Sequence, residues 1–219
     1  MRVFFTFLTV IGITLSSFAQ KTKVSESIEK IGDGKNNCLV VTIVGANKDD
    51  VAKAWKDQMK STGGKISGKS EIFIDDASLP AISSNTIDIY TIVSDSKDDV
   101  ILKVGFNLGG AYLNSKDHPA GYKAAEKLIY DFAVSQAKAA VNKMISSKND
   151  EISKATKNID GYNKSNSKLE KDIKDYEKRI ESAKKDIEKN NADLEKENSL
   201  LDKLNKELKE LEKKLSGLD

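Results

Sequence analysis

Three stretches of this chain carry residue types and spacings that invite a chemical reading. The first, Gly63-Gly64-Lys65-Ile66-Ser67-Gly68-Lys69-Ser70, matches the phosphate-loop pattern GxxxxGK[ST] letter for letter. Such a loop holds phosphate because it leaves a strand and opens a helix, whose first amides point at the anion. Here the local pattern predicts the reverse order. A helix precedes the glycines, and Glu71-Ile72-Phe73-Ile74 after them reads as a strand. The stretch is therefore read as a glycine-rich turn with solvated lysines, and no nucleotide cofactor is expected.

The second is the pair of solitary residues, His118 and Cys38, the only histidine and the only cysteine. With one of each, a metal site would have to be completed by carboxylates alone. Asp49-Asp50, Asp75-Asp76 and Asp98-Asp99 recur at element ends, but none shows the oxygen-rich alternation of a calcium loop. No metal, no cofactor and no catalytic set is expected, and the chain is read as non-enzymatic. His118 before Pro119 suits the start of a helix. Cys38 precedes Leu39-Val40-Val41 and reads as a small apolar strand residue. A lone cysteine cannot close an internal disulfide, and pairing between chains is its other use.

The third is the segment from Gly105 to Leu113. Asn107, Gly109, Gly110 and Tyr112 are read as a candidate ligand surface, because glycines let a ligand approach and a tyrosine ring can stack on a peptide or glycan. The simpler reading is a bulge that turns a strand toward the next helix. Asn37-Cys38-Leu39, this glycine segment and His118-Pro119 together resemble uncharacterised exported bacterial proteins with a small α+β head and a coiled tail. The resemblance spans most of the mature chain and implies that architecture, with no activity to carry onto any residue.

The elements that would position these residues divide into a head and a tail. The tail dominates. From Ile152 to Leu218 a three-four spacing runs without a slip, its positions apolar except for Asn166, Asn190 and Glu197, which would fix register at some cost in stability. The seam includes Ile173, Tyr176, Ile180, Ile187, Leu194, Leu201, Leu204, Leu208, Leu211 and Leu215. A 3.5-residue repeat puts one stripe along a helix, and that stripe needs a helical partner. A coiled-coil stalk over residues 148–219 is predicted, about 100 Å long over Ile152–Leu218 at ~1.5 Å per residue. Gly161 is its weak point, and Ser167 with Glu170 resembles a capping box that would open a fresh helix. The heptad phase runs unbroken across Gly161, which favours one straight helix over a bend.

Charge sets the partner. In a parallel, in-register pair, Asp172 meets Glu177, Arg179 meets Lys184 and Glu207 meets Glu212, all repulsive. Self-association in an antiparallel or staggered arrangement, or pairing with another helical protein, is expected instead. The net charge of +2 supplies no field for nucleic acid.

Residues 1–19 read as a secretory signal. Arg2 supplies the positive start, Val3 to Leu15 is uncharged and apolar, and cleavage is expected between Ala19 and Gln20. The mature chain then has no transmembrane candidate and is expected in the periplasm or secreted.

The head, residues 20–147, reads as ββαβββα. A hairpin over Lys23 to Val44 has Asp33 to Asn37 as its turn, and a helix capped by Asn47 buries Val51, Trp55 and Met59. Strands follow at Glu71 to Asp75, Thr86 to Val93 and Val100 to Leu108, each alternating. A helix from Pro119 then buries Leu128, Ile129, Phe132, Ala133, Ala137, Ala140, Val141 and Met144 on one side. Clean alternation predicts an antiparallel sheet with one wet face, hence an α+β two-layer head with two helices, followed by the long C-terminal helix.

Overall fold

The computed structural model describes residues 22–216. The expected signal segment, its Ala19–Gln20 cleavage and the last heptad position, Leu218, lie outside the described residues.

The elements in chain order are β1 (Val24–Ile31), β2 (Gly34–Ile43), α1 (Lys48–Met59), a 3-10 turn at Lys60–Thr62, β3 (Lys65–Ser67), β4 (Ile72–Ala77), β5 (Ile87–Ser96), β6 (Asp99–Asn107) and α2 (Pro119–Leu215). The six strands form one sheet in the order β1-β2-β6-β5-β4-β3, with every pair antiparallel. The fold is α+β with a long C-terminal helix. The chain divides into two compact units, Met1–Asn149 and Asp150–Asp219.

In the first unit both helices supply one side of a shared core. Asn47 caps α1 by accepting from the amides of Asp49 and Asp50. That cap fixes the helix phase, so Val51, Trp55 and Met59 all point at the sheet and are buried. Trp55 is fully enclosed. Its ring meets Phe132 of α2 edge-on at 5.0 Å, and its Nε1 donates to Thr91 Oγ1 of β5 at 2.9 Å. Ala125, Ile129, Phe132 and Ala133 are the buried residues of α2; Leu128, Ala137 and Ala140 are half-buried, and Val141 and Met144, expected inside, are exposed because the helix has run past the core by then. Across from them, Leu39, Val41, Ile89, Leu102, Val104 and Phe106 present the alternate residues of the central strands.

Three further expectations need correction. The hairpin turn is Gly32-Asp33 alone, not Asp33 to Asn37, because Gly32 adopts φ 64 and lets the strands close at once. An additional strand, β3, lies inside the glycine-rich stretch, so the element order is ββαββββα. The second sheet face is also not simply wet. The β1–β2 tip lies over it, Gly32 N donates to Glu71 Oε1 at 2.6 Å, and Ile31 is buried against the side of β6 that carries Gly105.

In the second unit all described residues to Leu215 are helical, Gly161 included. No fresh helix opens at Ser167, and the polar stretch Ser146 to Asp150 is itself helical.

Candidate functional site

Two places bring together the residues singled out from the sequence. One is a cavity of about 680 Å³ at the end of the sheet. Asn107, Gly109, Gly110 and Tyr112 all line it, together with Asp33, Lys35, Asn36, Asn37 and Asn114. The glycine segment is a tight return. Leu108 N donates to Ala111 O, Asn107 pairs with Tyr112 as an antiparallel bridge, and Leu113 N donates to Phe106 O.

Most of the polar groups around this cavity already have work in holding turns. Asn107 Oδ1 accepts from Gly109 N at 3.0 Å. Asn36 Nδ2 donates to Ile31 O and to Asp33. Asn114 Oδ1 accepts from the amides of Lys116 and Asp117, shaping the turn before α2. Such side-chain-to-backbone bonds are the ordinary habit of asparagine in turns.

Tyr112 is engaged too. Its ring lies 6.2 Å from that of Tyr90, which lies 4.8 Å from Phe73, so three aromatics run across the second sheet face. A Cβ at Gly32 would collide with the Tyr112 hydroxyl, so the hairpin tip needs glycine there. The hydroxyl is buried without a hydrogen-bond partner in the described structure. Burial, followed by the charge of Asp33, pushes its phenol up to about 12.

The solitary residues take structural places. Cys38 is buried, and desolvation, seconded by Glu29, pushes its thiol up to about 11, so it stays protonated at neutral pH. His118 is the cap residue of α2: its carbonyl accepts from Tyr122 N, and its own N donates to Asn114 O. The phosphate-loop look-alike runs from a helix end through β3 into β4, and no helix opens at Lys69. The amide cradle that binds phosphate is therefore missing from that segment. Among the described residues, no cluster of three or more histidine, cysteine or carboxylate groups has the spacing of a metal site.

The other place is the tail seam. The ten apolar seam residues from Ile173 to Leu215 are between 51% and 70% exposed, and nothing among the described residues of the same unit covers them. Ile152, Ile159, Tyr162 and Leu169 extend the same stripe toward the head. Leu200, next to the seam at a flanking position, is also exposed and broadens the stripe. Its proximity to Leu201 and Leu204 could have been read from the sequence, but a strict heptad count passes over it. The outer faces carry ion pairs such as Glu181–Lys185 at 3.1 Å and Asp193–Lys196 at 3.2 Å. Exposed pairs of this kind keep a helix solvated and contribute only ~0.2–0.5 kcal/mol each. None of the described helices is long and apolar enough to cross a membrane. Compared with known proteins, the chain matches no family model, no curated protein and no solved structure.

Proposed function

We propose that this is an exported, non-enzymatic protein that assembles through its C-terminal helix, the helix serving as the joining or spacing element for the α+β head. The observation that carries the reading is the regular apolar seam left on the outside of a helix. Soluble chains seldom expose a continuous stripe of large apolar side chains, and a heptad stripe has the shape of a helical partner. Export rests on the apolar start of the sequence and its small-residue exit at Ala19.

Light scattering on the full chain tests the proposal. The account expects an oligomer, and it expects Leu201→Asn with Leu208→Asn to yield a monomer whose head keeps its Trp55 fluorescence. A full chain that is monomeric at every accessible concentration would contradict it.

A second reading is a ligand-binding head presented by the same helix. The cavity bordered by Asn107, Gly109, Gly110 and Tyr112 favours it. Screening the full chain against peptides and glycans tests this reading, with Gly110→Trp as the blocking variant. A bound compound lost in that variant supports it, and no binder in either library argues against it.

A further inference from the structure

We infer that the partner of the tail is a second copy of the same helix, running antiparallel, with the two-fold axis at Ala192. The inference rests on the assembly reading and adds its partner, direction and register.

The seam is an apolar stripe along the outside of the tail helix. Its residues must face residues of another helix, and an antiparallel pair sets each a position against a d position. With the axis at Ala192, Ile173 faces Leu211, Tyr176 faces Leu208, Ile180 faces Leu204 and Leu169 faces Leu215. Two-fold symmetry repeats each layer on the other side of the axis. The overlap uses the leucine- and isoleucine-rich half of the tail. It leaves out the stretch around Gly161 and Asn166, where the seam is poorest. The polar seam residues Asn190 and Glu197 fall beside the axis, facing Leu194 and Ile187, where they penalise other registers at some cost in stability.

Charge then selects the register. In an antiparallel pair, flanking g positions meet g positions and e positions meet e positions. With this axis, Asp172 lies against Lys214 and Arg179 against Glu207, and each pair occurs twice. The like-charge meetings are Glu170 with Glu212, twice, and Asp193 with itself, once. Sliding by one heptad loses every attraction. In one direction Asp172 meets Glu207, and in the other Arg179 meets Lys214. Full-length antiparallel overlap gains Arg179 against Asp193, twice, but sets Lys184 against Lys184, Asp186 against Asp186 and the apolar Ile173 against Glu197. The parallel pair has only repulsions within residues 150–216. Flanking charges are weak in affinity but decide between arrangements that bury similar seams.

Disulfide mapping tests the register on the full chain carrying Ile173→Cys and Leu211→Cys. Cys38 is buried and does not compete. The two positions lie about 57 Å apart along one helix, so they cannot join within a chain. The account expects oxidation to yield a peptide joining position 173 to position 211. Links of 173 to 173 or 211 to 211 would mean a parallel pair and overturn the inference while leaving assembly standing. A dimer with none of these links would overturn the register. A monomer by light scattering would overturn the assembly reading itself.

Should the double variant not fold, Arg179→Glu gives the same answer by sign. It loosens the antiparallel pair by about fivefold or more, and adding Glu207→Arg restores it. In a parallel pair the single change would tighten binding, because position 179 then faces Lys184.

Discussion

Trp55 Nε1 donates to Thr91 Oγ1 at 2.9 Å across the helix–sheet interface, and both residues are completely buried. Thr91 is one of few polar residues inside the core, and its hydroxyl is what lets an indole fill that space. The bond fixes the roll of α1 over β5.

Thr91→Val keeps the shape and removes the acceptor. The indole N–H is then buried without a partner, which costs ~1–3 kcal/mol. Urea denaturation followed by the fluorescence of Trp55, the only tryptophan, measures the loss directly.

Tyr112→Phe should behave in the opposite way. The hydroxyl is enclosed and has no partner among the described residues, so removing it is neutral or stabilising. The same burial makes a pH prediction. The phenol is raised to about 12 in the folded state, above its ordinary value of 10. Its contribution is complete below pH 10 and is lost as pH climbs toward 12, since the unfolded state releases the proton first. Wild-type stability should fall in that window more steeply than that of Tyr112→Phe.

Cys38 should react with a thiol reagent only after unfolding. Burial denies access and holds the thiolate fraction down at neutral pH. Rapid labelling of the native chain would contradict that burial.

Gly161→Ala should stabilise the tail. Gly161 lies inside α2, and beyond the helix's own backbone nothing among the described residues comes within 4 Å of an added Cβ, on the side away from the seam. Replacing a helical glycine is worth about 1 kcal/mol. Helix melting by circular dichroism should shift upward with the oligomeric state unchanged.

Much of the head was legible because its elements obey simple periods. Val51, Trp55 and Met59 recur every four residues, and Val100, Leu102, Val104 and Phe106 every two, and all are buried where those periods place them. What was missed depends on contacts between residues distant in sequence. β3 is three residues long with only Ile66 apolar, too short for any pattern. It forms because Gly64 lacks the Cβ that would strike Asp75 O and Ile74, so the chain lies close to β4. The covering of the second sheet face by the hairpin tip hangs on Gly32 N meeting Glu71, 39 residues away. At the glycine segment, the letters marked Asn107, Gly109, Gly110 and Tyr112 as neighbours. They did not show that Asn107 is already bonded to Gly109 or that Tyr112 lies against Tyr90. In the tail, the repeat marked the seam but not the helical continuity through Ser146 to Asp150.

The central claim is that the apolar stripe of the tail is covered by association. Thermal melting of the helix signal of the full chain, across a hundredfold range of protein concentration, tests it most directly. An association-dependent tail melts at higher temperature as concentration rises, because mass action favours the assembled state. A melting temperature that stays the same across the range would contradict the account.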